Sequence, residues 1–341
     1  MPTRRDHALA FRWPARYRVA WVALAALVIL CAADAPATLN TLSLANVTAL
    51  AGILLLGSCG QLLVIITGGI DLSVPATMTL AAAFVVKQTN GQNGKLSGAL
   101  AEVLVAALVI GLANGILVAV ARLNALIVTL AMNGVVAGGT LLWTGASFSA
   151  SGTVPPRLAT VAGASVSWVS IIALIAIGVT ILLAALLRRT RVGRNYLAVG
   201  TNPTAAEIVG IRVTAYRIGG YVLASVLFAA AGVLLAGDLR TPDLTLGSPY
   251  QLLTIVAVAL SGASLAGGPA SLAGLVAAAI FLPLLDQYLA IKGVSGGLQA
   301  VLQGVVLVAA VAVLRIGSAG LRRTRPGLPL RRRAPGSAGI N

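Results

Sequence analysis

Apolar runs of helical length recur along this chain, separated by short polar punctuation. Val19–Ala33, Val47–Ile66, Leu100–Val120, Val169–Leu187, Tyr221–Ala236, Leu272–Ile280 and Leu298–Leu314 are almost uninterrupted by charge. A hydrocarbon core about 30 Å thick needs ~20 helical residues to cross it, and runs of this kind predict ten crossings. They fall at roughly 18–36, 46–66, 72–87, 98–120, 124–143, 166–187, 217–237, 249–264, 270–290 and 297–315. The period-2 alternation of a transmembrane barrel strand is absent. The expected fold is therefore all-α: a polytopic membrane helix bundle.

The punctuation carries the detail. Residues 66–80 read ITGGIDLSVPATMTL, placing an aspartate, a glycine pair and a proline between two apolar stretches. Gly68 and Gly69 are expected to end one helix in a tight reversal at the cytoplasmic boundary. Asp71 or Ser73 then caps the next helix, with Pro75 tolerated in its first turn. On this reading the Asp71 charge lies where water or backbone donors reach it, and gripping a solute is its weaker role. A second stretch, SGASLAGGPASLAGLVAAAIF from 261, repeats the order of glycines, a Ser/Pro cluster and an Ala-rich helix. Broken segments paired between two halves point to the centre of a transporter and form a weak internal repeat. Two similar tight turns account for the same likeness locally.

Composition agrees with a membrane bundle. Hydrophobic residues make up 58% of 341 and charged residues 9%, against about a quarter charged in soluble domains. The glycines, alanines and serines of the crossings let helix backbones approach closely in lipid. The net charge of +16 would suit a nucleic-acid partner, but its distribution does not. With the N-terminus inside, 19 of the 24 Lys and Arg fall on the cytoplasmic side, the asymmetry of the positive-inside rule. The expected layout is a basic cytoplasmic arm (1–17), a transmembrane domain (18–315) and a basic cytoplasmic tail (316–341) drawn to anionic lipid headgroups. The first apolar segment, followed by CAADAPA from 31, has a signal-peptide look but reads as a retained helix, since its removal would strand one terminus.

Catalytic chemistry is missing. There is no phosphate-loop spacing, no H-E-x-x-H and no nucleophile elbow. His7 is the sole histidine, and Cys31 and Cys59 read as apolar fillers rather than as a metal site. No acid pairs with a base at mid-membrane, which argues against ion coupling. The polar residues left at depth are amides: Gln61, Asn114, Asn133, Gln299 and Gln303. Amides both donate and accept, which suits a hydroxyl-rich solute along a translocation path. Hydrogen bonding between helices fits them equally well.

The basic stretch 188–217 is too polar to cross. Within it Asn202 can cap a short helix that starts at Pro203, Glu207 can complement its early turns and Gly210 can end it. A rigid helix on a cytoplasmic loop would seat in a groove on a soluble partner. The alternative is an amphipathic helix lying on the membrane, for which its apolar residues are few and small.

Four segments together resemble the permease subunit of ABC importers for monosaccharides of the ribose/xylose/galactose type. They are GGIDLSV from 68, NGILVA from 114 with IVTL from 127, GRNYLAVGTNPTAAEIVGIRV from 193, and SLAGGPAS from 264. The wider group includes branched-chain amino-acid permeases, whose loop lacks the G-x-N-P-x-A-A pattern. The resemblance implies a pore of two permease chains, an ABC ATPase subunit that holds ATP and Mg, and a periplasmic or lipid-anchored sugar-binding protein at the outer face. It implies a weak inverted repeat in the bundle, no cofactor in this chain, a bacterial cytoplasmic membrane, and a coupling role for Gly193, Arg194, Asn202, Pro203, Ala206, Glu207 and Gly210. Pro75 departs from a more usual glycine, Asn124–Ala125–Leu126 from a frequent Pro-Phe pair, and the tail beyond Arg315 is outside the resemblance. A nucleoside or branched-chain amino-acid ABC permease, and an ion-coupled secondary transporter, are the competing readings.

Overall fold

In a computed structural model of the chain, residues 18–145, 152–265, 267–268, 270–302, 304–305 and 308 are described. The arm, the tail and Gln303 lie outside the described residues. Its helices run α1 (Val19–Asp34), α2 (Thr41–Ile66), α3 (Val74–Thr89), α4 (Leu96–Ala119), α5 (Ala125–Thr144), α6 (Pro156–Gly163), α7 (Ile171–Arg189), α8 (Arg191–Thr201), α9 (Pro203–Ile208), α10 (Val213–Leu239), α11 (Tyr250–Leu260) and α12 (Leu272–Ile291). A two-residue hairpin, β1 (Ser165–Val166) and β2 (Val169–Ser170), precedes α7.

Six of these helices are long and apolar enough to cross a membrane: α2, α4 with its leading turn, α5, α7, α10 and α12. Two are apolar but shorter, α1 and α11. The crossing expected at 249–264 is only the 11 residues of α11, which at 1.5 Å per residue cover about 16 Å, half of a hydrocarbon core. The expected tenth crossing, 297–315, falls mostly outside the described residues, of which 296–302 are helical.

α2 is the axis of the bundle. It is the most enclosed of the long helices, with 94% of its apolar window buried. Its glycines set how closely neighbours approach. A Cβ on Gly52 would stand 2.8 Å from the Ala173 backbone of α7, and one on Gly60 2.6 Å from the Phe228 ring of α10. α10 packs along α4 in the same way: Cβ atoms on Gly111 and Gly115 would meet backbone atoms of Val222 and Ile218 at 2.6 and 2.9 Å. Small residues draw helices together because lipid tails supply no hydrophobic drive for the association.

The two ends of the bundle differ. Near the C-terminus of α10, Gly237 lies against Ala162 and Leu158 of α6. At its N-terminus α8 and α9 are stacked, some 40 Å away along the 27-residue helix. At the α6 end Lys87 donates to the Trp143 carbonyl and sits 4.7 Å over its ring, tying α3 to α5. Asp34 accepts from Tyr288 at 2.7 Å and pairs with Lys292 at 3.0 Å, closing α1 on α12.

The segments at 67 and 261 both follow helices ending at the α8 end, where Gly268 N–H meets Ile66 O, so this internal repeat runs in one sense and the inverted relation is not between them. That relation lies instead in IDLSVP (70–75) and PDLTLG (242–247). In each, an aspartate Oδ1 accepts both the N–H and the hydroxyl of the residue two positions on. The distances are 2.8 and 2.6 Å for Asp71 with Ser73, and 2.8 and 2.8 Å for Asp243 with Thr245. The helices they follow, α2 and α10, are antiparallel, so the two loops enter the bundle from opposite ends. They meet where a Cβ on Gly247 would lie 2.1 Å from the Pro75 carbonyl, and Gly247 N–H donates to Thr79 at 3.2 Å.

These contacts give a paired prediction. On Gly232 a Cβ would stand 2.3 Å from the Met78 carbonyl oxygen, while Gly178 has open space. Gly232→Ala should destabilise by about 1–3 kcal/mol through overpacking. Gly178→Ala should be neutral or slightly stabilising, by about 0.5–1 kcal/mol. Thermal unfolding of the two purified variants in one detergent checks the contrast.

Candidate functional site: the helix break and the two-helix elbow

The segment 67–73 is where α2 stops and the chain turns back. Thr67 closes the last turn, and Gly68 takes φ 85°, a conformation open to glycine at no steric cost. Gly68 N–H donates to Ile65 O at 2.9 Å and Gly69 N–H to Val64 O at 3.1 Å, the paired bonds of a Schellman ending. The expected reversal at Gly68–Gly69 is therefore present. Gly69 has a further reason to lack a side chain, since its Cβ would fall 2.5 Å from the Tyr221 hydroxyl.

The position of Asp71 corrects part of the sequence reading: a backbone donor, Ser73 N–H, reaches its Oδ1 as expected, but the residue is not at a boundary. It is 1% exposed, beside Tyr221, which stands about 12 Å along α10 from its start. Nor does Asp71 or Ser73 cap α3. Ser73 occupies the cap position, but its side chain makes no cap bond. The residue at the second helical position is Pro75, which has no N–H to give. The N–H of Ala76 is taken across the bundle by Asn133 Oδ1 of α5, at 3.2 Å. One turn earlier on α5, Thr129 Oγ1 accepts from Leu72 N–H at 2.9 Å. The cap of α3 is thus supplied by another helix.

Two more amides complete the clamp. The Gln61 side chain, oriented so that each atom meets its complement, donates to Asp71 O at 3.0 Å and accepts from Asp71 N–H at 3.2 Å. Asn114 Nδ2 of α4 donates to Ser73 Oγ at 3.0 Å. Gln61 and Asn114 are both wholly buried within the protomer. Three of the five amides assigned to a translocation path are therefore gathered on one broken segment and engaged by the protein itself. Gln299 is separate and half-buried, donating to Val294 O at 2.9 Å. Asp71 Oδ2, Asn114 Oδ1 and the Tyr221 hydroxyl have no hydrogen-bond partner.

The second part is the polar stretch after α7. It holds two helices rather than the single one expected. Thr190 caps α8 by accepting from Gly193 N–H at 3.0 Å. Gly193 makes the α7–α8 corner possible, since its Cβ would stand 2.1 Å from Leu186 O. Asn202 caps α9 through Ala205 N–H at 3.0 Å, Pro203 occupies the first position, and Ala206 is its buried contact. Gly210, at φ 84°, ends it as expected, with Gly210 N–H on Glu207 O and Ile211 N–H on Ala206 O, both 3.0 Å. Glu207 stands in the last turn of this six-residue helix, not the first, so it does not complement the N-terminal dipole. It points to solvent with Ile208 and Val209, which are 82% and 73% exposed. Arg194 is exposed and its guanidinium donates to Arg189 O at 3.3 Å.

The two parts touch. Tyr196 of α8 donates to Leu63 O at 2.6 Å. A Cβ on Gly200 would lie 2.3 Å from Ile66 O. That same carbonyl accepts Gly268 N–H at 3.1 Å, so the loop before α12 joins the junction. Tyr196, Gly200 and Thr129 were inside the motifs read from sequence without being singled out. For Thr129 and Asn133 a signal existed: two polar residues four apart in the first half of an apolar helix. No group of three or more His, Cys, Asp or Glu able to hold a metal occurs among the described residues.

Two substitutions separate the roles of Asp71. Asp71→Asn keeps the Oδ1 acceptor and should leave folded yield near that of the parent. Asp71→Leu strands the Ser73 donors in a buried site, at about 1–3 kcal/mol, and Asn133→Leu should cost a similar amount through Ala76 N–H. Yield of monodisperse protein and its unfolding temperature report all three.

The family described as "Branched-chain amino acid transport system / permease component" matches residues 43–311. The ribose import permease protein RbsC of Bacillus subtilis (strain 168) is 34% identical over 290 residues, 82% of this chain and 86% of its own length. RbsC of Escherichia coli (strain K12) is 31% identical over 86% of this chain and 91% of its own. The autoinducer 2 import system permease protein LsrC of Enterobacter sp. (strain 638) is 30% identical over 94% and 92%. No solved structure matches the chain. A multi-pass bundle matched over most of its length by import permeases belongs to this family of transport-system permease components: the chain is a permease of the ABC-importer type.

Proposed function

We propose that this chain is one half of a pore that imports a monosaccharide across a bacterial cytoplasmic membrane, driven by an ABC ATPase that seats on α9. The observation carrying this reading is the route from α9 to the centre of the bundle. α9 is capped at both ends, bears an exposed apolar tip at Ile208 and Val209, and is joined through α8 to the broken end of α2. A rigid element that protrudes at one end and is bonded to a helix break at the other suits the delivery of a partner's motion to a gate. α8 and α9 are then cytoplasmic, as are both termini, and the α6–hairpin end receives solute from a periplasmic or lipid-anchored binding protein. ATP and Mg belong to the ATPase, a second permease chain completes the pore, and Gln61, Asn114 and Asn133 serve the break more directly than the solute.

The cargo reading rests on the ribose import permeases among the relatives. A second reading, import of autoinducer 2, is favoured by two LsrC relatives that each cover 94% of this chain. Uptake of labelled ribose against autoinducer 2 by the reconstituted importer separates them.

Glu207→Arg places a bulky cation on the exposed face of α9 and leaves the bundle untouched. It should abolish uptake and reduce ATPase co-purification at least about tenfold, as loss of an interface contact does, with the unfolding temperature unchanged. Normal uptake with normal ATPase association would remove the coupling role from α9.

A further inference from the structure

One cavity is not used by any of this. It lies at the α8 end of the bundle, has a volume of about 280 Å³, and is walled by the end of α7, the start of α8 and the first turns of α10. Leu63, Leu187 and Tyr196 form its buried floor; Val192, 56% exposed, and Gly219 stand at its mouth. It is nearly twice the ~150 Å³ of an apolar cavity that takes up benzene.

Its surroundings identify the occupant. Leu186 lines it, and Leu182, one turn away on α7, is 70% exposed on the apolar face that continues along Ile181. The cavity therefore opens onto the lipid-facing side of a spanning helix. Around it Arg188, Arg189, Arg191, Arg194 and Arg212 are all exposed, and the sole acid in 188–217 is Glu207, out on α9. An apolar wedge continuous with the bilayer and rimmed by unneutralised arginines matches one class of molecule. We propose that this wedge binds an anionic phospholipid of the leaflet next to α8, its acyl chain between α7 and α10 and its phosphate on the arginines of the α7–α8 corner. Each arginine near such a headgroup adds to the attraction, and the chain methylenes add to burial.

The site sits against Tyr196, so an occupied wedge braces the strut between α9 and the helix break. The binding itself does not depend on what the pore carries, and its test is separable from transport. Full-length protein, stripped of lipid in detergent, is titrated by native mass spectrometry with phosphatidylglycerol, phosphatidylcholine of the same chains, and glycerol phosphate. Phosphatidylglycerol should bind at least about tenfold more tightly than phosphatidylcholine, and glycerol phosphate should not bind. Gly219→Leu fills the wedge from a position with open space around it and should weaken both lipids about fivefold or more. The triple change Arg188→Gln, Arg189→Gln, Arg191→Gln should abolish the headgroup preference and leave the chain-dependent part. If Gly219→Leu fails to fold, Val192→Asp at the mouth makes the same test. Equal binding of the two lipids, wild-type retention in the filled variant, or quantitative displacement of lipid by the ATPase subunit would overturn the proposal.

Discussion

A backbone that leaves the helix inside a membrane protein has no water to satisfy it, and each orphaned N–H or C=O costs several kcal/mol. Residues 67–76 show how that constraint is met. The N–H groups of Thr67, Gly68 and Gly69 fold back onto the last turn of α2. Those of Asp71, Leu72, Ser73 and Ala76 are taken by Gln61, Thr129, Asp71 and Asn133. On the acceptor side, Leu63 O and Ile66 O are bonded by Tyr196 and Gly268. The donors and acceptors come from α2, α4, α5, α8 and the loop before α12, so the break exists only while those elements are packed around it.

The same accounting explains why the elbow of α8 and α9 is tied to the break. A carbonyl at the end of a helix must find a donor, and here two donors arrive from segments distant in sequence. The close approach that brings them needs residues without side chains at Gly200 and Gly267, whose Cβ atoms would lie 2.3 and 3.3 Å from Ile66 O. The counterpart loop at 242–247 solves its own problem with the same aspartate device and leans on Pro75. Two breaks entering from opposite ends and meeting in the middle give the bundle a centre held by hydrogen bonds rather than by continuous helix.

Helix endings were largely legible in the sequence. Gly68 and Gly210 end helices because left-handed backbone there is open to glycine, and Asn202 begins one because its side chain bonds the next turn. Such signals work within a few residues. In the sequence Asp71 has the look of a boundary charge, because a carboxylate in an apolar chain is cheapest near water. The actual solution, donors from Ser73 and an enclosure by α4 and α10, requires partners 41 positions away and more. The path residues had the same difficulty: an amide at membrane depth looks alike whether it faces a solute or a strand of backbone.

Hydropathy alone determined that this is a multi-pass helical membrane protein, since transfer free energy is summed locally along the chain. The motif order alone determined the family. Only the tertiary structure decided that α3 is capped by Asn133 of α5, that α11 is a half-length helix, and that the inverted likeness joins Asp71 to Asp243. These depend on which backbone groups are left unpaired when helices pack. That is settled between segments distant in sequence, and a linear pattern does not record it.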